Sequence, residues 1–444
     1  MSDSWRAIPG SIVAPRGFRA AGVFCDIKRL GTGKGSDKGA KPDLALIVSD
    51  QPAAAAGMFT TNQVRAAPVQ VCLERIPSGR AQAIVVNSGN ANACTGPEGL
   101  RDARTMAAVT ARRLGLDESL VLVGSTGRIG VRLPMDRVRR GIADAAKALT
   151  ADPAGADAAA VAIMTSDTRP KQIALEVPLG RHTVRIGGIA KGAGMIQPGM
   201  SPTGRRPASG WGHLHATMLA FVTTDAAIEP ALLQELLEEA VARSFNRITV
   251  DGDMSTNDTV LCLANGLAGN PPLRRRAAPA VRAFAKALQH VCHELAMMIV
   301  RDGEGVHRVV TVRVEGARSD AEADAAARAV ANSALVKTSW HGGDPNWGRI
   351  IDALGYSAAT IDPQTVDIGY SAPGSSRIVF SLRQGRPTRI SFQRLCAEVD
   401  RPEFDLHIHL HQGRGSAVIH AADLTEAYVE FNKGDVSDPA SLGG

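Results

Sequence analysis

Short, continuously apolar runs alternate with stretches of helical spacing along the first two hundred residues. Ala83-Ile84-Val85-Val86 and Leu120-Val121-Leu122-Val123 have no polar position, as expected of strands covered on both faces. Residues 103–114 and 140–149 instead repeat their apolar positions every three to four residues, which predicts helices. This alternation predicts an α/β fold. The pattern breaks at 198–213, rich in Gly, Pro, Ser and Arg, which reads as an exposed loop. Pro230 then opens an amphipathic helix with Leu232, Leu233, Leu236, Leu237, Ala240 and Val241 on one face and Glu235, Glu238 and Glu239 largely on the other. A strand-like run follows at 247–250. After the turn Gly269-Asn270-Pro271-Pro272 a second helix is predicted over about 280–300. The domain transition is placed there, giving residues 1–285 as an α/β core and 286–444 as a smaller α+β domain with strands at 309–314 and 378–382. No repeat of solenoid period is present.

The chain has 444 residues, room for two or three domains; with 44% hydrophobic but only 4% aromatic residues, its core must be built from Ala, Val, Leu and Ile. No apolar run is of membrane-spanning length and charges occur throughout the first thirty residues, so no membrane partner and a cytoplasmic location are expected. The excess of 50 basic over 44 acidic residues is spread over small groups such as Arg137/Arg139/Arg140 and Arg274-Arg275-Arg276, with 3 Tyr and 4 Trp. That is a solvated surface, not a nucleic-acid face. Six cysteines (25, 72, 94, 262, 292 and 396) form no CxxC pair and read as buried thiols.

The chemistry concentrates on His215-Ala216-Thr217-Met218-Leu219. A threonine hydroxyl is a weak nucleophile until a base takes its proton, and a peptide nitrogen is no base. If the Ala216–Thr217 bond opens, Thr217 gains an α-amino group with a pKa of about 7.7–8.0 beside its hydroxyl. Most Ala-Thr pairs are ordinary strand or turn residues, so this dipeptide alone assigns nothing.

Its surroundings do. Gly188-Ile189-Ala190-Lys191-Gly192-Ala193-Gly194-Met195-Ile196-Gln197-Pro198 precedes it and Ala220-Phe221-Val222-Thr223-Thr224-Asp225-Ala226 follows. Further blocks are Ala56-Gly57-Met58-Phe59-Thr60-Thr61-Asn62, Asn87-Ser88-Gly89-Asn90-Ala91-Asn92-Ala93-Cys94-Thr95-Gly96 and Ser125-Thr126-Gly127-Arg128-Ile129-Gly130. Others are Met164-Thr165-Ser166-Asp167-Thr168, Ser255-Thr256-Asn257-Asp258 and Asp344-Pro345-Asn346-Trp347-Gly348-Arg349. In these blocks the chain resembles the ornithine acetyltransferase family, the self-cleaving glutamate N-acetyltransferases of arginine biosynthesis.

The resemblance implies a layered α-β-β-α sandwich core with a smaller C-terminal α+β domain that completes the substrate site, cut between Ala216 and Thr217 into fragments 1–216 and 217–444. It implies Thr217 as nucleophile, Thr126 and Gly127 as the oxyanion hole, and Thr165, Lys191, Thr217, Glu304, Asn432 and Ser437 as substrate contacts. Acetyl would pass from N2-acetylornithine to glutamate through an ester on Thr217, with no metal or organic cofactor and with acetyl-CoA as a possible second donor. An α2β2 heterotetramer is the implied assembly.

Two departures qualify this. Residues 199–215 are an insertion ahead of the nucleophile, and Met200-Ser201-Pro202-Thr203 occupies the place of the shorter family linker, making Thr203 a rival that Pro202 disfavours. The family's terminal Asn-x4-Thr is here Asn432 and Ser437. An acyltransferase of a specialised pathway, or an amidohydrolase using water as acceptor, is therefore the alternative; a non-enzymatic binding protein on the same fold has no positive feature beyond the loop.

Three other patterns have plainer readings. His407, His409 and His411 alternate, as on an exposed strand face, although three histidines on one face also suit a metal. Gly31-Thr32-Gly33-Lys34-Gly35-Ser36 lacks the full phosphate-loop spacing. Asp251 and Asp253 suit a structural turn as well as paired carboxylates.

Overall fold

The computed structural model describes residues 5–28, 41–205 and 218–433. Two mixed sheets organise them. The larger contains β1 (Arg6–Ala7), β2 (Phe18–Val23), β3 (Leu44–Thr60), β4 (Arg80–Asn90), β5 (Val121–Arg128), β6 (Lys171–Leu179), β7 (His182–Lys191), β8 (Met200–Ser201), β9 (Leu219–Thr224) and β11 (Thr259–Ala264). The smaller contains β10 (Ile248–Thr249), β12 (Val309–Ala317), β13 (Asp367–Ser371), β14 (Val379–Arg383), β15 (Arg386–Pro387), β16 (Glu403–His409) and β17 (Gly415–Ala422). The helices are α1 (Ala67–Arg75), α2 (Gly96–Leu114), α3 (Met135–Ala148), α4 (Pro153–Ala162), α5 (Pro230–Ala242), α6 (Pro279–Arg301), α7 (Asp320–Asn332), α8 (Ala334–His341), α9 (Trp347–Gly355), α10 (Phe392–Val399) and α11 (Glu426–Phe431).

Side-chain alternation explains how the larger sheet becomes two layers. On β9, Leu219 and Phe221 point to an interior that they share with Leu261 and Leu263 of β11 and with Ile47, Ile84, Val86 and Leu122 of the other strands. Their neighbours Ala220 and Val222 face the opposite way, onto α5 and α6. On the other layer Leu44, Leu46, Val85 and Val123 turn outward onto α2 and α3. Helix, sheet, sheet and helix thus stack in that order. The central strands β4, β5, β9 and β11 have cover on both faces, which is why their sequences show no polar alternation. The 17-residue β3 passes between layers: its register shifts between Val48 and Ala53, with β2 paired before the shift and β11 after it.

The smaller sheet has its own core of Val310, Val312, Val314, Leu406, Ile408 and Ile419 under α7 and α9. The division expected between 285 and 286 falls inside α6, whose apolar face packs with α5 against the larger sheet. A continuous amphipathic helix carries no mark of where the sheet beneath it ends. Other expectations need adjusting. The strand at 247–250 shrinks to two residues, and α2 begins seven residues before 103 because Pro97 starts it. Pro198 and Met200 are buried, and β8 pairs with β3, so the start of the expected loop is part of the fold. Cys72, Cys262 and Cys292 are buried, but Cys94 is exposed and Cys25 and Cys396 are intermediate.

Candidate functional site

Three neighbouring strands put their ends at one place. Lys191, the last residue of β7, pairs with Leu219 at the start of β9, and Leu219 pairs with Thr259 of β11, forming one row across the layer. Residues 216 and 217, between which cleavage is expected, lie outside the described residues. Thr217 is joined to Met218 by one peptide link, about 3.8 Å between α-carbons. The Met218 N–H donates to Asp258 Oδ1 at 2.6 Å and its carbonyl accepts from Thr259 N at 3.1 Å, so the point where the chain enters β9 is fixed.

From the facing layer comes the end of β5. Thr126 is fully buried, and its Oγ1 accepts a hydrogen bond from Lys191 Nζ at 3.3 Å. An ammonium only donates, so this contact leaves the Thr126 O–H to point elsewhere. Gly127 has φ of +125°, and a β-carbon there would fall 2.4 Å from the Gly89 carbonyl carbon. Only glycine fits so close to that strand. Asn87 and Asn257 hold this end of β5 in place. Ser125 Oγ donates to Asn87 Oδ1 at 2.6 Å, and Asn257 Nδ2 donates to the carbonyls of Ala91 and Ser125 at 2.7 and 2.8 Å.

Beneath Lys191 lies an enclosed ionic chain. Asp167 accepts from Lys171 Nζ at 2.6 Å, from Gly192 N at 2.7 Å and from Thr165 N at 2.9 Å, while Lys171 Nζ also reaches Asp302 at 2.6 Å. Burial by itself would raise the Asp167 pKa, but Lys171, Lys191 and the Gly192 N–H outweigh it and hold the carboxyl well below the usual range. Burial lowers the Lys191 pKa, opposed by the charges of Asp167, Glu304 and Asp258. Asp258 differs from all of these. Its Oδ2 is buried without a hydrogen-bond partner among the described residues, and burial pushes its pKa well above the ordinary value, only partly offset by the Met218 N–H and Lys191.

Glu304 enters from the loop after α6. Its backbone N–H donates to Ala193 O at 2.9 Å, and its carboxylate occupies the space that a side chain at Gly194 would need. Asn432, just past α11, donates through Nδ2 to Glu304 Oε2 at 2.8 Å. Of the residues expected to act together, Thr126, Gly127, Thr165, Lys191, Glu304 and Asn432 are connected by these contacts or by one intervening residue. Ser437 and the Gly31–Ser36 motif lie outside the described residues. Asp167, Lys171, Asp302 and Asp258 had no assigned role from sequence. Asp167 and Asp258 sit in the recognised blocks, but nothing local marks a partner 131 positions away, as for Lys171 and Asp302.

The rival patterns resolve plainly. Thr203 is exposed, its Oγ1 accepting from Arg205 N at 3.3 Å. Asp251 accepts from the backbone of Met195, Ile196 and Asp253, a structural turn. His407 and His409 sit half-buried on β16, not on an open face; His407 bonds Ser371 Oγ at 2.9 Å, while His411 lies past the strand and bonds Asp367 at 3.0 Å.

The family model described as the ArgJ family matches residues 19–434. The arginine biosynthesis bifunctional protein ArgJ of Symbiobacterium thermophilum is 48% identical over 425 residues, covering 96% of this chain and 98% of that protein. Its namesake from Geobacter sulfurreducens is 45% identical over 427 residues, covering 94% and 98%. Among solved structures, ornithine acetyltransferase complexed with ornithine from Mycobacterium tuberculosis is 42% identical with a TM-score of 0.41, covering 44% of this chain and 100% of that chain.

Proposed function

The chain belongs to the ArgJ family, and from that premise we propose that its acetyl transfer in arginine biosynthesis runs through Thr217 at the junction of β5, β7 and β9. The observation that carries this reading is the Lys191–Thr126 contact, in the strand row that begins one residue after Thr217.

Self-cleavage comes first. Thr217 Oγ attacks the Ala216 carbonyl carbon, the peptide nitrogen takes a proton and leaves, and water opens the resulting ester. Fragment 217–444 then starts with a free amine. In the transfer itself that amine takes the Oγ proton as Oγ attacks the acetyl carbon of N2-acetylornithine. The oxyanion is met by the Thr126 O–H and the Gly127 N–H, both set before substrate arrives. Lys191, donating to Thr126 Oγ1, keeps that hydroxyl proton turned outward. Collapse of the intermediate returns the proton to the departing ornithine amine and leaves acetyl on Thr217. The amine of glutamate attacks the ester, releasing N-acetylglutamate and restoring the threonine.

Substrate contacts follow from charge. The Lys191 ammonium suits the carboxylate shared by both amino-acid substrates, and Glu304, steadied by Asn432, suits the side-chain ammonium of ornithine. Thr165 is tied to the ionic chain beside Lys191 through its N–H to Asp167, and Ser437 is the remaining proposed contact. Hydroxyl and amine on one residue supply nucleophile and base, so no step calls for a metal or organic cofactor. Acetyl-CoA as a second donor, an α2β2 assembly and a cytoplasmic location complete the proposal. No helix among the described residues is long and apolar enough to cross a membrane.

Incubation with N2-acetylornithine, with and without glutamate, tests the reading. N-acetylglutamate appearing only with glutamate supports the transferase; acetate formed equally in both reactions would assign an amidohydrolase instead.

A further inference from the structure

Three side chains with metal-ligand chemistry, from three separate segments, meet where α11 begins. They are His307 ahead of β12, His341 at the end of α8 and Asp423 just after β17, and their ligand atoms lie within 4.8 Å of one another. No other such trio occurs among the described residues.

Each is held in a way that leaves one ligand atom unused. Asp423 Oδ1 accepts from the backbone N–H groups of His307 at 3.0 Å and Arg308 at 3.1 Å, while Oδ2 is buried without a partner. His341 Nε2 lies 3.0 Å from Glu426 Oε2. A carboxylate only accepts, so Nε2 carries a hydrogen toward Glu426, which leaves Nδ1 to hold either a second proton or a metal ion. That Nδ1 is also buried without a hydrogen-bond partner, and it faces Asp423 Oδ2 at 3.4 Å. A ring nitrogen and a carboxylate oxygen buried this close need something positive between or beside them, a proton or a metal ion. The nearby guanidinium of Arg308 does not fill this place, since it is engaged by the carbonyls of Trp340 and His341 and by Asp400.

His307 supplies the third ligand. Its ring centroid is 5.0 Å from that of His341, and the residue is exposed, so its side chain is free to turn. Bonds of about 2.0–2.1 Å in a tetrahedron put ligand atoms roughly 3.3 Å apart, close to the present separation of His341 Nδ1 and Asp423 Oδ2. His307 is the ligand that has to move to close the set.

We propose that His307, His341 and Asp423 bind a divalent transition-metal ion, zinc fitting best, with water in the open fourth position. Two imidazoles and one carboxylate suit zinc's borderline character. Glu426, on the non-ligating nitrogen of His341, is the outer carboxylate that fixes the ring and raises its basicity. The ion ties together the approach to β12, the end of α8 and the start of α11, the helix that carries Asn432 to Glu304. It is a structural clamp, and no step of acetyl transfer passes through it.

Tag-free protein stripped with a chelator should be titrated with zinc in competition with a chromophoric chelator, and separately with cobalt, whose visible absorption reports tetrahedral coordination. The expected result is one ion per chain and a zinc-dependent rise in Tm. Glu426→Gln should weaken binding about 10- to 100-fold, and His307→Ala and His341→Ala should weaken it further, while a His407→Asn/His409→Asn double variant binds as the parent does. His307 is exposed, so its variant keeps the test valid even if changes at His341 disturb folding. Zinc uptake unchanged in His307→Ala and His341→Ala, or no uptake by the parent chain because the His341–Asp423 pair holds only a proton, overturns the proposal.

Discussion

Two groups of buried charge, one under the larger sheet and one on the smaller, are handled in opposite ways. In the larger, Lys171 and its partners Asp167 and Asp302 are all enclosed, their side chains at most 3% exposed, and Lys191 sits beside them at 2%. In the smaller, a buried carboxylate leans on a partner that reaches water: Asp405 on Arg313 and Asp367 on His411, with those partners 35% and 33% exposed. The second arrangement is cheap, because the partner keeps much of its hydration. Full enclosure costs several kcal/mol per ion by order of magnitude and is repaid only by close pairing and hydrogen bonds. We read the enclosed chain as the cost of fixing Lys191 and the backbone around it, and Asp258, buried with no cation in direct contact, as a further cost accepted to hold the entry to β9.

The contrast can be broken by substitution. Lys171→Met leaves two carboxylates facing each other in the core and should lower unfolding free energy by about 3–5 kcal/mol in denaturant titrations. A loss under about 1 kcal/mol would mean that the enclosure is not real. Thr126→Val keeps shape and burial but removes the proposed oxyanion donor, and kcat of the processed enzyme should fall about 10²- to 10³-fold with the fold unchanged by circular dichroism. An unchanged kcat would remove Thr126 from the mechanism.

Acid sensitivity sharpens the same comparison on the smaller sheet. His420 of β17 faces Thr311, the His293 ring and the charges of Arg313, Arg301 and Asp405. Burial first, then the neighbouring cations, lowers its pKa to about 4. The unfolded chain then binds a proton that the folded chain refuses between about pH 6.5 and 4. Stability should therefore fall as pH drops through that window, by up to roughly 1.4 kcal/mol per pH unit from this group. His420→Gln should flatten the slope; an equal slope in both proteins would place the acid sensitivity elsewhere. The smallest effect is expected at the half-exposed Arg301–Glu403 pair. Arg301→Gln should cost only about 0.2–1 kcal/mol, a value that added salt diminishes.

Much of this architecture is legible in the sequence. Strands at 83–86 and 121–123 stand out because the middle of a strand covered on both faces favours an unbroken apolar run, and the 230–242 helix because its glutamates face solvent. Thr126 and Lys191 stand in matched blocks, whereas Glu304 and Asn432 are named by the resemblance alone. The ionic chain under Lys191 is not, since Lys171 and Asp302 are brought together only by the tertiary fold. Nor is the division between the sheets, because α6 bridges it without a break. The six cysteines were equally opaque: composition cannot distinguish buried Cys262 from exposed Cys94.

The central claim is that one residue provides both nucleophile and base, and intact mass spectrometry of the purified protein under denaturing conditions tests it most directly. The account predicts two fragments meeting at 216/217, with the 217–444 fragment gaining one acetyl group on Thr217 when N2-acetylornithine is added without glutamate, and neither event in Thr217→Ala. A single uncut chain with full transferase activity, or acetyl carried on any other residue during turnover, would contradict it.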